Sequence, residues 1–426
     1  MDHSKLTINK EIHYEHPPPR THVLFNLFLA LTLALAALGL GPVPLARAAS
    51  ITVAAGDVAV NNGNSSCSLR EAIINANSED ATDYSGGDCT TGSIGADTIN
   101  LADSTYSLTD AYAADPDGYG PTGLPAITSD ITIAGNGATI TRGGGTFRLF
   151  YVTNTGGLTL QNLTLSDGLA QGGDGGDGAN CGGGAAAGIG GAILNRGALD
   201  INAVTFTGNS AQGGDGGYDP GGEYGGGGGL GGDGGGTYPT GHGGAGGGVN
   251  GGDGGAFDTC GAGGFGGGDG GQWNGGGDMG GAVFNDQGTV NVTNSTFSGN
   301  TAQGGSAGYQ TTGADGDDGS GYGGVFFNYN GAVTVNNVTF ANNTVATGSG
   351  TNPGNMAGGG VYNYGSSASL TLKNTILANT PSSKTDCQNN GGAVTAPAGN
   401  KNLIESHSGC GTPALPNRRR LRHRRL

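Results

Sequence analysis

The feature that most constrains the fold of this chain is a unit of about 20 residues that recurs along the sequence. Four copies are clear, and they lie at residues 190–209, 280–300, 323–343 and 359–379, while a degenerate copy covers 147–168. Each clear copy opens on Gly-Gly and closes on Asn. A unit this short cannot bury its apolar face alone, so successive copies must pack on one another.

Apolar and polar residues alternate inside each copy, which is the pattern of a half-buried strand. Leu199 and Ile201 form one such pair, and Val204 and Phe206 form the next. Gly or Asn lies between the pairs, where a tight corner is needed. We therefore predict an all-β fold: a single-stranded right-handed parallel β-helix (solenoid) with three short strands per turn, a short N-terminal capping helix and Gly-rich loop insertions.

Stacked copies should bring equivalent side chains together in two internal ladders. The predicted core ladder is Phe206, Phe297, Phe340 and Leu377, and the predicted corner ladder is Asn209, Asn300 and Asn343. A β-sandwich of similar hairpins is the alternative, and it predicts antiparallel pairing without aligned ladders.

The composition excludes several classes of protein. Of the 426 residues, 95 are Gly, but they lack the G-X-Y period of collagen. Charged residues make up only 12%, which does not fit a highly charged disordered chain. The formal net charge is −16 and the body of the chain has no basic face, so we expect no nucleic-acid partner. An acidic polysaccharide would also be repelled unless a cation bridged it.

Residues 1–48 have the organisation of a signal peptide. Basic residues precede the apolar run 23–40, and the small-x-small site Ala46-Arg47-Ala48 follows it. The run is borderline in length for a membrane span, so a single transmembrane anchor is the alternative. We expect cleavage after Ala48 and a secreted or cell-surface protein, in contact with the membrane only through its signal or an unknown anchor.

Six cysteines suit an exported chain, in which an even number suggests disulfides. No Cys-x-x-Cys spacing is present, which argues against zinc and thioredoxin-like sites. Fifteen pairings are open. Proximity in sequence favours Cys67–Cys89 and Cys387–Cys410, and Cys181 and Cys260 could then bridge two insertions that lie side by side.

Residues 49–90 are predicted to form an N-terminal cap around a helix at 68–77. Ser68 and Glu71 have capping-box spacing, and apolar residues follow at helical intervals. This helix would cover the open apolar end of the solenoid, which is expected to span 91–410. The tail 411–426 is strongly basic and unlike the rest. It is either an aberrant end of the chain or a segment that binds an anionic envelope polymer.

Several motifs resemble those of exported bacterial right-handed β-helix repeat proteins. The segment 67–73, Cys-Ser-Leu-Arg-Glu-Ala-Ile, resembles the start of such proteins, and the Gly-Gly-Ala-Ile and Thr-Phe-x-Gly-Asn units look like the repeats of chlamydial polymorphic outer membrane proteins. Residues 374–379, with Asp386-Cys387 and Cys410, are similar to the C-terminal region of choice-of-anchor β-helix proteins. The resemblance covers roughly 60–410 and implies secreted or surface proteins of the bacterial outer membrane, some of them adhesins.

Four Gly-rich insertions, at 168–189, 212–279, 304–322 and 348–357, should leave the solenoid along one common edge. They are too poor in apolar side chains to fold by hydrophobic burial, so they are either flexible or packed as extended Gly-rich chain. Their aromatic residues are our candidates for stacking on a sugar or a partner protein, or else they pin the loop to the solenoid: Tyr218, Tyr224, Tyr238 and Trp273.

Calcium is the one cofactor that the sequence raises. Residues 172–180 fit a Gly-Asp nonapeptide calcium repeat, with Asp174 and Asp177 as the candidate ligands. The repeat occurs once, whereas such sites take ligands from consecutive copies.

We expect an adhesion or structural scaffold protein that binds an extracellular glycan or a surface protein through its Gly/Asp/aromatic loops. The alternative is a polysaccharide lyase or glycoside hydrolase on the same fold, but no convergent carboxylates or nucleophile sets can be argued, so no catalytic residue is assigned. An ice-binding or crystal-binding solenoid would need a flat threonine array. Thr205, Thr296 and Thr339 align, but in one file only, which disfavours that function.

Overall fold

A computed structural model of the chain describes residues 48–78, 82–112, 119–177, 183–217, 276–308, 316–378, 380–381 and 385–411. These residues belong to one compact unit that begins at Ala48. Nearly all of their regular structure is β, with one helix. The predicted signal peptide up to residue 47, most of the longest insertion and the basic tail from residue 412 lie outside the described residues.

The helix α1 spans Leu69–Asn77, in the place that the sequence predicts. Ser68 is its N-cap, and the capping box with Glu71 is formed in both directions. Leu69, Ala72 and Ile73 are fully buried in the main core, so the helix packs its apolar face against the first strands. Its Arg70 donates to the Gly123 carbonyl at 3.0 Å, which is a structural contact.

The strands of the described residues are short and follow one another closely. They are β1 Ser50–Thr52, β2 Asp97–Asn100, β3 Thr105–Leu108, β4 Asp130–Ala134, β5 Thr139–Arg142, β6 Phe150–Val152, β7 Gly157–Ser166, β8 Leu169–Gln171, β9 Gly188–Ile189, β10 Ile193–Asn195, β11 Ala198–Thr207, β12 Ser210–Gln212, β13 Asp278–Met279, β14 Val283–Asp286, β15 Thr289–Thr293, β16 Thr296–Ser298, β17 Thr301–Gln303, β18 Gly321–Tyr322, β19 Phe326–Tyr329, β20 Ala332–Asn336, β21 Thr339–Ala341, β22 Thr344–Ala346, β23 Met356–Ala357, β24 Val361–Tyr364, β25 Ser369–Lys373, β26 Ile376–Ala378, β27 Cys387–Asn390, β28 Ala393–Thr395, β29 Leu403–Ile404 and β30 His407–Ser408.

Four sheets contain these strands. Sheet 1 has 15 strands, ordered β1-β2-β4-β7-β11-β15-β20-β25-β28, with β3, β5, β16, β21, β26 and β29 beside them. Sheet 2 has seven strands, β6-β10-β14-β19-β24-β27-β30. Sheet 3 is β8-β12-β17-β22, and sheet 4 is β9-β13-β18-β23. The strands within each sheet pair in parallel, and they join equivalent positions of successive copies.

Parallel pairing rules out the sandwich alternative, and the copy at 280–300 contains the three strands that were expected, although a full turn of the chain has more. The copy at 280–300 and its flanks give β13 to sheet 4, β14 to sheet 2, β15 and β16 to sheet 1, and β17 to sheet 3. The two additional strands, β13 and β17, lie just outside the copy, because the chain that flanks it on each side also pairs with its equivalents. The ends of the Gly-rich insertions are therefore held in sheets 3 and 4.

Stacked phenylalanines run through the main core, which lies between sheets 1 and 2. Phe206, Phe297 and Phe340 are at most 1% exposed and occupy paired positions, with Leu377 next in line. The ring centroids of Phe206 and Phe297 are 4.5 Å apart, and those of Phe297 and Phe340 are 5.1 Å apart. The interplanar angles are 18° and 9°, so the rings of successive copies stack nearly parallel.

Two ladders of buried asparagine amides line the corners. Asn209, Asn300 and Asn343 form the ladder that the sequence suggests, with Nδ2–H to Oδ1 distances of 2.9 Å. A longer ladder on sheet 2 was not anticipated, and each of its amides donates to the next Oδ1 at 2.7 Å. Its members are Asn195, Asn285, Asn328, Asn363 and Asn389. Each copy therefore satisfies the buried polar groups of the next.

Disulfides close both ends of the described chain. Cys67 bonds Cys89, and Cys387 bonds Cys410, which are the two pairs that proximity favoured. The first bridge flanks α1, and the second joins β27 to the segment after β30. Cys181 and Cys260 lie outside the described residues.

The described ends of the insertions form what we call the glycine layer, which consists of residues 172–177, 183–188, 213–217, 276–278, 304–308, 316–321 and 347–356. Its backbone hydrogen bonds recur every three residues: the Gly172 and Gly175 N–H groups donate to the Gln212 and Asp215 carbonyls, both at 2.8 Å. A three-residue interval is the period of a polyproline II helix. The insertions thus leave the sheets on a common side, packed as extended chain.

Glycine is required in this layer because neighbouring backbones lie where a Cβ atom would be. A Cβ on Gly276 would lie 1.8 Å from the Ala186 carbonyl oxygen, and one on Gly305 would lie 1.8 Å from that of Gly214. Backbone oxygens at such positions cannot move aside independently, since they are themselves hydrogen-bonded.

We predict that Gly276→Ala destabilises the protein by about 1–3 kcal/mol, because the new methyl group overpacks the glycine layer. Guanidinium chloride unfolding followed by circular dichroism measures this change. The control is Gly144→Ala, whose Cβ would have no atom nearer than the Thr109 oxygen at 3.6 Å. Equal stability of both variants would contradict the packing described for this layer.

We also predict that Asn328→Ala lowers the free energy of unfolding by about 2–4 kcal/mol, since it leaves buried polar groups unpaired and opens a cavity. Asn328 Nδ2–H donates to the Gly331 carbonyl at 2.9 Å and to Asn363 Oδ1 at 2.7 Å. Asn291→Ala is the matched control, because Asn291 is exposed and, among the described residues, its side chain bonds only Asp200, at 2.9 Å. A similar small loss in both variants would show that the ladder contributes little.

Candidate aromatic binding surface

The outer side of sheet 2 carries two files of side chains, a file being the set of residues at paired positions on successive strands. Because Asn285, Asn328 and Asn363 point inwards to their ladder, the residues before and after each of them face outwards. The inner file is Tyr151, Leu194, Phe284, Phe327 and Tyr362. The outer file contains Asp286, Tyr329, Tyr364 and Asn390, with Arg196 salt-bridged to Asp286.

Sheet 4 packs beside this side of sheet 2 and adds Tyr322. The rings of Tyr322 and Tyr362 have centroids 4.7 Å apart, and Tyr322 is half-buried while Tyr362 is 7% exposed. Tyr362 in turn stacks on Phe327, with centroids 5.2 Å apart and an interplanar angle of 12°. The inner file is thus a buried apolar base that holds the outer rings in place.

Tyr329 and Tyr364 form the accessible part of the surface. Their rings are stacked, with centroids 6.0 Å apart and an interplanar angle of 18°. Tyr364 is 41% exposed and is one of the few large apolar side chains that the described chain leaves in solvent. On the next strand, Asn390 is exposed and donates from Nδ2 to the Tyr362 hydroxyl at 3.2 Å, so amide and phenol groups meet at this end.

The other end of the surface carries charge. Arg196 lies over the Tyr119 ring at 5.1 Å from its centroid, and its Nε–H donates to Asp286 Oδ2 at 3.2 Å. Partial burial lowers the pKa of Arg196, but hydrogen bonding to Tyr151 and the nearby Tyr119, Tyr151 and Asp286 groups raise it more, so the net shift is upward. Arg196 is therefore a permanent cation held in a fixed place.

The pKa of the Tyr362 hydroxyl is raised, chiefly because burial disfavours the phenolate. Tyr362 therefore stays neutral and can donate or accept hydrogen bonds at physiological pH. We call this set the aromatic surface: Tyr119, Arg196, Asp286, Tyr322, Tyr329, Tyr362, Tyr364 and Asn390. Four strand spacings separate Arg196 from Asn390, a length of about 19 Å.

Amphipathic rings beside amide, hydroxyl and guanidinium groups suit a ligand that has apolar faces and polar edges. A pyranose sugar has that character, because its C–H faces stack on aromatic rings while its hydroxyls form hydrogen bonds. Asp286 is already paired with Arg196, so this surface does not offer a free pair of carboxylates for glycosidic cleavage.

The residues that sequence reasoning singled out for binding lie elsewhere. Tyr218, Tyr224, Tyr238 and Trp273 are outside the described residues. Asp174 and Asp177 are described, and Asp174 Oδ1 accepts the Asp215 N–H at 2.7 Å within the glycine layer. In the described part of the chain, His, Cys, Asp and Glu side chains form no group of three or more that could hold a metal ion.

Another carboxyl, Asp278 at the start of β13, is completely buried between sheets 3 and 4. Its Oδ1 accepts the Gly188 N–H at 3.2 Å, and its Oδ2 has no partner among the described residues. Burial raises the pKa of Asp278 well above its ordinary value, although backbone hydrogen bonds oppose the shift. Because it is completely buried, this carboxyl is not accessible to a ligand at the surface.

Sequence reasoning missed the aromatic surface because it treated aromatic residues on strands as core. The signal was present in the segments Phe-Phe-Asn-Tyr at 326–329 and Val-Tyr-Asn-Tyr at 361–364. Once the central Asn is known to face inwards, period-two alternation places Phe327, Tyr329, Tyr362 and Tyr364 on the outside. The usual arrangement of a strand, with polar side chains outside and apolar ones inside, is thus reversed where an asparagine is buried.

Comparison with protein-family models, curated proteins and solved structures finds no match to this chain. Among the described residues, the one helix is too short and too polar to cross a membrane.

Proposed function

We propose that the chain is a right-handed parallel β-helix that acts as an extracellular scaffold and binds a glycan through the aromatic surface. The β-helix proposal is supported by the parallel, in-register pairing of successive copies in four sheets. Right-handedness rests on the general preference of parallel strand connections, of which about 98% are right-handed.

The secreted or cell-surface location is supported by two independent features. The described chain contains two disulfides, which are typical of oxidising compartments. The sequence before Ala48 has the order of a signal peptide, with an apolar run followed by a small-x-small site. The resemblance to exported bacterial surface proteins agrees with both, and it makes adhesion the proposed role of glycan binding.

The observation that carries the glycan proposal is the stacked pair Tyr329 and Tyr364, supported from below by Tyr362 and Phe327. Exposed rings in a fixed position lose little conformational entropy on binding, which favours recognition of a weakly interacting ligand such as a sugar. The net charge of −16 favours a neutral or cationic glycan over an acidic one. Tyr218, Tyr224, Tyr238 and Trp273 remain proposed as further contacts from the longest insertion.

We predict that Tyr329→Ala with Tyr364→Ala weakens glycan binding by about tenfold to a hundredfold, since each ring contributes about 0.5–1.5 kcal/mol. A glycan array screened with the full chain identifies the ligand, and calorimetry with that glycan measures the loss. Tyr84→Ala is the matched control, because Tyr84 is 48% exposed and lies in the N-terminal cap.

Unchanged affinity in the double variant would contradict the assignment of this surface. Replacing residues 218–275 by a short Gly-Ser linker then tests whether the insertion binds instead. Release of reducing sugar ends from a bound polysaccharide would support the alternative of a glycoside hydrolase, and release of unsaturated ends would support a lyase.

A further inference from the structure

A second surface lies on the outer side of sheet 1, and it is lined by small hydroxyl side chains instead of aromatic rings. Six threonines occupy one file on six successive strands and pair at equivalent positions: Thr105, Thr139, Thr164, Thr205, Thr296 and Thr339. All six side chains are half-buried or exposed, and they alternate with fully buried core residues. The file ends at Ile376.

A second file of hydroxyls runs beside the first, two residues further along each strand. It contains Ser107, Thr141, Ser166, Thr207 and Ser298. The expectation of a single file of threonines stands, because three of these five residues are serine, but the second file of hydroxyls was not anticipated. That expectation considered three copies of the repeat, whereas the earlier strands β3, β5 and β7 extend both files, and each strand reads Thr-x-Ser or Thr-x-Thr.

The two files make a regular two-dimensional array. Neighbouring strands are about 4.8 Å apart, and residues i and i+2 on one strand are about 6.6 Å apart. The register is unbroken from Thr105 to Thr339, although the chain between Thr205 and Thr296 contains the longest insertion. We call this array, the two files together, the threonine face.

A stacked core lies beneath the threonine face and holds its strands in register. Phe206 lies between Thr205 and Thr207 in the chain and points inwards, where it stacks on Phe297. Interplanar angles of 18° and 9° along the phenylalanine ladder show that successive rings lie nearly parallel in the core. A sheet without much twist presents its outer side chains in one plane, which is uncommon and needs such side-chain ladders.

The chemistry of this face is uniform. Within the short segments that carry the two files, 105–107, 139–141, 164–166, 205–207 and 296–298, no residue is charged, and the aromatic residues point into the core. Charged groups lie at the border, where Arg142 follows Thr141 and Asp167 accepts from Thr141 Oγ1 at 3.2 Å. The hydroxyls of the six threonines make no side-chain hydrogen bond to any residue that the structure describes. Each threonine therefore offers one methyl group and one hydroxyl to solvent at a fixed point.

Such a surface fits few partners. It lacks the concavity and the convergent polar groups of a small-molecule site, the basic residues that nucleic acid needs and the exposed rings on which sugars stack. A repeating lattice of methyl and hydroxyl groups instead matches a partner that repeats with similar spacing and offers hydrogen-bond donors and acceptors at every point. Ordered water at the surface of an ice crystal has those properties.

We propose that the threonine face binds ice. The fixed methyl groups order the adjacent water, the unpaired hydroxyls of the six threonines hydrogen-bond to it, and the regular spacing lets that water join the crystal lattice. In the second file, Thr141 and Ser166 already use their hydroxyls, since Ser166 donates to Thr141 and Thr141 donates to Asp167. The proposal is independent of glycan binding, because the aromatic surface lies on sheet 2 and the threonine face lies on sheet 1.

The test uses the full chain and measures thermal hysteresis, ice-crystal shaping and partition of the protein into growing ice. We expect activity for the unmodified chain and a decrease of at least about tenfold for Thr205→Tyr with Thr296→Tyr, since each ring lifts several neighbouring threonines away from the ice plane and every 1.4 kcal/mol lost is tenfold. Tyrosine is a good strand residue, so both variants should fold.

Thr301→Tyr is the matched control, because Thr301 is a half-buried threonine on sheet 3. Absence of ice activity in the folded unmodified chain would overturn the proposal, and so would an equal loss in the control. Binding to microcrystalline cellulose in place of ice, lost in the double variant, would also overturn it and would identify a crystalline polysaccharide as the partner. Circular dichroism and intact disulfides establish that each variant is folded.

Discussion

Stacking of identical side chains in register is the constraint on which the rest of the structure depends. A buried asparagine amide has two donors and an acceptor to satisfy, and in this chain its partner is the same amide one copy away. At each corner, the backbone accepts a hydrogen bond from the ladder and leaves room for its amides. Asn285 and Asn328 also donate to Gly288 and Gly331, where a Cβ would lie only 2.4 and 2.2 Å from the amide nitrogen of the preceding ladder member.

The chemical contrast between the two outer surfaces follows from this stacking. Because each position of the repeat recurs one strand away, a residue type that is kept at one position forms a file. Neighbouring files together form a surface. Threonine repeated outside Phe206 and its equivalents gives a regular array of hydroxyls. Tyrosine repeated outside the asparagine ladder gives an aromatic stripe with polar ends. The glycine layer adds a third side, in which backbone replaces side chains as the packing material.

The sequence predicted the features that depend on the period of the repeat. Phe206 and Asn209 recur at matching points of each copy, and this spacing was enough to predict their ladders, the parallel pairing and the position of α1. The spacing did not predict that Asn328 faces inwards and Tyr329 outwards. Their strand has only four residues and carries apolar side chains on both faces, so its sequence shows no alternation of apolar and polar residues. The hydrogen bonds of the glycine layer were also beyond prediction, since they join segments far apart in sequence that differ little in composition.

The chain between equivalent positions varies greatly in length, from 25 residues between Thr139 and Thr164 to 91 between Thr205 and Thr296. Stacking in register nevertheless places the two members of each pair on neighbouring strands.

Pulsed electron paramagnetic resonance tests this stacking most directly, with labels attached through introduced ketone residues so that the cysteines stay intact. With one label at Thr105 and the other at Thr296, Thr339 or Ile376, we predict distances between backbone positions of about 19, 24 and 29 Å, a constant step per strand. Distances that follow sequence separation, or that fail to rise by an equal step, would contradict stacking in register.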